Sequence, residues 1–207
     1  MNTMKVDGLL LTFDEFLMAA ELDCVTAYVM GMEHKFSVAT TVREGRPGTL
    51  DVARRRARVL TDVETGEVGK FFKARIEQML PSVLEDLHLP IRRANRISVQ
   101  ITSTGNGGFY KPHTDNSPRD TNRRVLSFVY FHHRYPLSFQ GGELRIYGTR
   151  VYAEINDPSL HVHVISPEQN RIVFFQSDFV HEICPVVCPS DKLADTRLTV
   201  NGWVYFE

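Results

Sequence analysis

The sequence has almost no excess of charge, little cysteine and no long apolar run, and each shortage excludes something. Its 24 basic and 25 acidic residues leave a formal charge of −1, so no global field gathers nucleic acid or an anionic membrane. Cys24, Cys184 and Cys188 are odd in number and lack CxxC spacing, which argues against a disulfide framework or a thiolate zinc site and for reduced thiols. No apolar run approaches the roughly 20 residues that span a bilayer. The opening MNTMKVDGLLLTFDEF meets acidic residues too soon for a secretory signal, so a cytoplasmic protein without a membrane partner is expected. Local basic runs, RRRAR at 54–58 and Arg92, Arg93 and Arg96, could contact phosphate or an acidic substrate, but read first as solvated faces.

What is present fits a globular chain: 43% hydrophobic and 24% charged residues over a length sufficient for a sizeable core. Thr12 and Glu15 have capping-box spacing, and Phe13, Phe16, Leu17, Ala20 and Cys24 follow at steps of three or four, which predicts an amphipathic helix to about residue 30. From Glu67 to Leu87, Val68, Phe71, Phe72, Ile76, Met79, Leu80 and Leu84 keep helical spacing, with Pro81 expected to kink or divide the segment. Residues 34–63 hold turn formers and no sustained period, and read as partly irregular and a possible lid.

After residue 95 the grammar changes. RISVQITST, GGFYKPHTD, RRVLSFVYFHH, GELRIYG, LHVHVIS, RIVFF, VHEICPVV and TRLTVNGWVYF are short β-branched and aromatic runs separated by turn residues, a succession of about eight strands. Strands without intervening helices predict an antiparallel sandwich or barrel, with the two preceding helices on one sheet's outer face. No repeat, low-complexity tract or linker divides the chain, so 1–207 is expected to be one folding unit.

In YKPHTDNS, His113 and Asp115 stand two apart in an extended stretch, so their side chains leave by the same face, about 7 Å apart at the backbone, and can converge on one ion. A third ligand must come from a distant strand, and His181, opening VHEICPVV, is the candidate. Two histidines and a carboxylate suit non-haem Fe(II) with open coordination positions, and zinc accepts a similar set. Arg197 and Thr199 share a face of the terminal strand. An arginine deep in a barrel must be paired, and its planar fork matches a carboxylate, so an organic dicarboxylate would satisfy both metal and arginine.

Taken in order, HTD, GGELRIYG, FVHE and RLTVNGW resemble the Fe(II)/2-oxoglutarate dioxygenase superfamily over about residues 97–206. GNGGFYKPHTDN with RRVLSFVYF and GGELRIYG is similar to its prolyl hydroxylase branch, the oxygen-sensing prolyl hydroxylase domains especially. The resemblance implies a mainly β fold: a cupin-like double-stranded β-helix, or jelly roll, over 96–207, supported by helices and a possible lid in 1–95. It implies His113, Asp115 and His181 as iron ligands, Arg197 on the distal carboxylate of 2-oxoglutarate, Thr199 supporting that carboxylate, and Tyr110 lining the site. The implied reaction is hydroxylation of an unactivated C–H bond of a peptidyl residue, prolyl-type, or of an amino acid or natural product. It uses Fe(II), 2-oxoglutarate and O2, with ascorbate in support, and yields succinate and CO2. With Asp115 as ligand no coordination position is left for halide. A cupin-like metal-dependent hydrolase or isomerase could use the same three ligands but gives no reason for Arg197 and Thr199; a non-catalytic metal-binding sensor is the other alternative, marked by metal binding without succinate formation.

The chain departs from that branch at three places. Phe131 stands where a tyrosine hydrogen-bonds the cosubstrate, Ser103 where a tyrosine precedes GNG, and CPSDKLAD lengthens the path from His181 to Arg197. The nucleic-acid repair branch carries a second arginine six residues after the first; here that position is Trp203, read as core, so base demethylation and a nucleic-acid partner are not expected. His132, His133, His161 and His163 read as ordinary core or surface histidines, and the glycines of GGEL as a bulge or tight turn. Substrate selection, by a peptide, protein or small molecule, is expected to rest on 34–63 and the loop 116–123.

Overall fold

The β-branched and aromatic runs after residue 95 form strands, and those strands stack in two layers. The computed structural model describes residues 2–6, 9–43, 46–116, 124–190 and 192–206. Its N-terminal part runs β1 (Asn2–Val6), β2 (Leu10–Asp14), α1 (Ala19–Gly31), β3 (Ser37–Val38), β4 (Thr41–Arg43), β5 (Arg46–Thr49), β6 (Arg55–Arg56), β7 (Arg58–Leu60) and α2 (Gly66–Asp86). Then follow β8 (Arg96–Thr104), β9 (Phe109–His113), β10 (Arg124–His132), β11 (Gln140–Gly141), β12 (Leu144–Tyr147), β13 (Val162–Ile165), β14 (Ile172–Gln176), β15 (His181–Ile183), β16 (Val186–Val187) and β17 (Arg197–Tyr205). An eight-stranded sheet has the order β1-β2-β14-β10-β17-β8-β7-β3, and a five-stranded sheet the order β13-β12-β15-β9-β6. The strand pairs are antiparallel, and the two sheets face each other as a jelly roll, the class the strand grammar predicts.

Two-residue alternation sorts side chains between helix side and cavity side. On β10, Leu126, Phe128 and Tyr130 join the core beneath the helices, whereas Val129 and Phe131 point toward the smaller sheet. On β17, Leu198, Val200 and Val204 join the helix-side core, and Arg197, Thr199, Asn201 and Trp203 line a cavity between the sheets. The larger sheet thus covers its outer face with α1 and α2 and keeps a polar inner one.

Helix α2 matches its predicted stripe: Val68, Phe72, Ile76, Leu80 and Leu84 are buried. Pro81 does not divide it. Pro81 and Glu77 are both exposed, so the Glu77 carbonyl that loses its N–H partner is open to water. Leu80, Val83 and Leu84 hold the opposite side, each contributing about 1.5–3 kcal/mol by burial, enough to outweigh the missing bond.

The first helix differs from expectation. Thr12 and Phe13 lie on β2, and Glu15 has φ 53°, a left-handed backbone that a helix cannot carry. The helix begins four residues later, and Glu21 rather than Glu15 closes its start, accepting from the Met18 N–H at 2.9 Å. Val25 and Val29 are its buried positions, whereas Ala20 and Cys24 are exposed. The run LLLTFD reads equally as strand or helix, and pairing with β14 on one edge and β1 on the other decided for strand.

Residues 34–63 are also more regular than predicted. Strand β6 adds to the smaller sheet beside β9, and β7 to the larger sheet beside β8, while Thr40, Thr41, Gly48 and Ala57 line the cavity. These strands borrow their hydrogen bonds from existing edges, so they need no hydrophobic period of their own. Of the loop 116–123, residues 117–123 lie outside the described residues. No helix among the described residues is long and apolar enough to cross a membrane.

Candidate active site

His113 and His181 face each other as register partners in the β9–β15 pair, and Asp115 follows just past the end of β9. Their ligand atoms lie within 4.8 Å of one another and could hold a metal ion. Asp115 Oδ1 is 4.0 Å from His113 Nε2, and Asp115 Oδ2 is 3.6 Å from His181 Nε2. The outer nitrogens fix both rings: His113 Nδ1 meets the Lys111 carbonyl at 2.8 Å and His181 Nδ1 the Phe179 carbonyl at 3.0 Å. A carbonyl can only accept, so each Nδ1 donates, and in the neutral ring this leaves the Nε2 lone pair turned inward, the state a metal requires. Burial, with His181 beside it, pushes the His113 pKa well below the usual histidine value.

Asp115 is held from several sides. Ser127 Oγ donates to its Oδ2 at 2.6 Å, the Asp115 N–H donates to the Ser177 carbonyl at 3.0 Å, and Arg124 Nη1 donates to the Asp115 carbonyl at 2.8 Å. Burial pushes its carboxyl up, but His181, His113, Arg124 and the Ser127 hydroxyl outweigh it and hold the pKa below the usual carboxylate range. The carboxylate is therefore ionised and oriented.

At the other side of the cavity Arg197 is 2% exposed, and burial lowers its pKa to about 10 against the opposing pull of Cys184 and Glu143. Its Nε donates to the Gly142 carbonyl at 2.6 Å, and its guanidinium carbon lies 5.1 Å from the Phe131 ring centroid. Arg197 Nη2 and Thr199 Oγ1 are buried without a hydrogen-bond partner. Such atoms are expensive to leave unsatisfied. A ligand carboxylate reaching this end would satisfy both, and a dicarboxylate chelating at the three-residue cluster fits the cavity's chemistry. The cavity is about 280 Å³.

The remaining singled-out residues divide. Tyr110 stacks on His113, ring centroids 3.5 Å apart, and lines the cavity. Ser103 does not reach it: Thr102 and Thr104 take the cavity side of β8, and Ser103 pairs with Thr196 Oγ1 at 2.9 Å on the other face. Trp203 is not core but half-buried on the cavity wall, under the Arg124 guanidinium at 4.2 Å, because it shares the face of Arg197 and Thr199. Gly141 and Gly142 have φ 74° and 73°, the tight turn expected of GGEL, but Gly142 also makes room for Arg197. His132 and His133 are buried, away from the cavity lining, and His161 and His163 meet edge to face with ring centroids 4.4 Å apart. Arg55 lines the cavity, although RRRAR reads first as a solvated face and only second as a contact for phosphate or an acidic substrate. Its pairing opposite Tyr110 on a site strand was the signal, visible only once β6 had a partner.

A jelly roll with a two-histidine, one-carboxylate cluster beside a buried arginine defines a class of metal-dependent oxygenases. The chain belongs to the 2OG-Fe(II) oxygenase superfamily, whose sequence model matches residues 99–205. It is 34% identical over 154 residues to an uncharacterized PKHD-type hydroxylase of Synechocystis sp., an alignment covering 72% of this chain and 50% of the relative. The chain thus spans about half the length of that curated relative. Among solved structures, a Pseudomonas putida prolyl-4-hydroxylase superposes with a TM-score of 0.69 at 21% identity, covering 96% of this chain and 93% of the other. A Trichoplax adhaerens prolyl hydroxylase in complex with a hypoxia-inducible-factor peptide superposes at 0.70 and 18% identity, covering 96% and 84%. Membership of the family implies Fe(II), 2-oxoglutarate and O2.

Proposed function

We propose that the protein hydroxylates an unactivated C–H bond of a peptidyl residue, prolyl-type, or of an amino acid or natural product. One substrate carbon gains oxygen from O2 as 2-oxoglutarate becomes succinate and CO2. The observation that carries this reading is the coexistence, in one cavity, of three convergent ligand atoms and two unpartnered buried polar atoms, Arg197 Nη2 and Thr199 Oγ1. The likeness to a prolyl hydroxylase holding a peptide supports a peptidyl substrate.

When bound, ferrous ion with 2-oxoglutarate supplies the dioxygen-dependent oxidation. His113 Nε2, His181 Nε2 and a carboxylate oxygen of Asp115 would hold the ion. Arg197 and Thr199 would take the distal carboxylate, Arg197 with its fork already aligned by Gly142. Phe131 would press on that arginine where related enzymes place a phenol, excluding water rather than donating a hydrogen bond. Ser127 and Arg124 hold Asp115, so the ligand geometry exists before any substrate arrives.

Incubation of purified protein with Fe(II), 2-oxoglutarate, ascorbate and a peptide library or lysate should release succinate and give products heavier by one oxygen atom. His113→Ala and Asp115→Ala should abolish both signals, and Arg197→Ala should chiefly weaken 2-oxoglutarate affinity. Full activity in all three variants would refute the assignment.

A further inference from the structure

Among the described residues three arginines line the cavity, and two are committed. Arg197 has its place beside the buried Thr199 hydroxyl. Arg124 donates to the Asp115 carbonyl at 2.8 Å and the Tyr205 hydroxyl at 3.1 Å, and lies over Trp203. The third is Arg55. Strand β6 sets it directly opposite Tyr110 on β9, and the Lys111 N–H donates to the Arg54 carbonyl at 2.9 Å, so backbone bonds fix its position. Its guanidinium carbon lies 4.8 Å from the centroid of Tyr110, the ring that stacks on His113.

Arg55 is poorly satisfied for a half-buried cation with five N–H donors. Its Nη1 reaches the Thr40 carbonyl at a long 3.4 Å, and among the described residues no carboxylate forms an ion pair with it. Desolvation lowers its pKa, as expected of a cation that lacks a close partner. Asp115 is the only carboxylate among the described residues lining the cavity, and its oxygens are taken up by Ser127 and the histidine pair. A planar fork in that state matches an arriving carboxylate bidentately.

We infer that Arg55 binds a carboxylate of the substrate, so the enzyme acts on molecules that carry an acid group near the carbon to be hydroxylated. This rests on the hydroxylase reading above and narrows its substrate class. The acid is either the terminal carboxylate of an amino acid or short peptide, or an acidic side chain within a peptide.

The test uses the full chain loaded with 2-oxoglutarate and with zinc in place of iron, so that capture is read without turnover. The probe is an equimolar mixture of free amino acids, short peptides with free C-termini, amidated peptides with an internal Glu, and matched fully amidated counterparts with Gln. Retained molecules are identified by mass spectrometry after rapid filtration. The wild type should retain acids over matched amides by roughly tenfold or more, the scale of a charge-assisted pair. Arg55→Gln should abolish that preference, Arg55→Lys should keep part of it, and both should bind 2-oxoglutarate as the wild type does. The peptide and amino-acid arms report which source of carboxylate is preferred. Equal retention of acids and amides by the wild type, at any level including none, overturns the inference. So does a preference that survives Arg55→Gln, or a tenfold loss of 2-oxoglutarate affinity in that variant. Failure to form succinate with iron present would instead overturn the hydroxylase reading and leave the capture result standing.

Discussion

Gly142 and Arg197 are built around each other: the glycine carbonyl accepts from Arg197 Nε at 2.6 Å, and a Cβ on Gly142 would stand 2.6 Å from Arg197 Cδ. Its φ of 73° further disfavours any side chain. Gly142→Ala should therefore displace the guanidinium and weaken 2-oxoglutarate binding by roughly tenfold or more, about 1.4 kcal/mol, while metal affinity stays near wild type. Titration of the metal-loaded protein with 2-oxoglutarate measures it, and an unchanged affinity would show that Arg197 does not need this cradle.

Thr199 offers a cleaner probe because its hydroxyl is buried without a partner. Replacing it with valine removes an unsatisfied group at nearly constant shape, so stability should stay within about 1 kcal/mol of wild type or rise. Cosubstrate affinity should fall several-fold. If urea denaturation and 2-oxoglutarate affinity both stay put, Thr199 has no part in carboxylate binding.

Ser127 acts through Asp115, to which it donates at 2.6 Å. Loss of such an orienting hydroxyl typically lowers metal affinity by about 10- to 100-fold. Ser127→Ala should show this in a competitive titration with a chromophoric chelator, whereas Ser127→Thr, which can keep the donor, should recover part of it. Equal affinities for wild type and alanine variant would exclude the role.

His132 and His133 give a pH signature independent of catalysis. Burial lowers both pKa values from the usual 6.5 to about 4, for His133 with His132 and Arg197 adding to the effect. The folded state thus keeps them neutral where the unfolded chain takes up protons, so their contribution is fully present above about pH 6.5 and is lost as pH falls toward 4. Each should steepen the fall in stability by up to about 1.4 kcal/mol per pH unit in that window. His132→Phe should flatten the dependence of the urea midpoint on pH relative to wild type; parallel curves would count against a buried neutral imidazole.

Much of the fold was legible because short β-branched and aromatic runs bounded by turn residues suit a pleated, buried backbone. RISVQITST becomes β8 and RRVLSFVYFHH supplies β10, both buried over most of their length. The errors fall where one run satisfies two periods, as in LLLTFD, or where a segment's hydrogen bonds come from elsewhere, as in Arg55–Arg56. Pro81 shows the limit of a local rule: the ring is tolerated because its neighbours are anchored and its freed carbonyl is wet.

The sequence alone determined the strand succession and the shared side of Arg197 and Thr199, which follows from side chains alternating along extended backbone, and it named His113 and Asp115 together by their spacing although Asp115 lies just past the end of β9. Only the tertiary structure decided that His181 closes the cluster, that Gly142 yields its space to Arg197, that Ser103 turns away, and that Arg55 and Trp203 face the cavity. Those depend on which strands become neighbours, a choice made by pairing across long stretches of chain that no local pattern encodes.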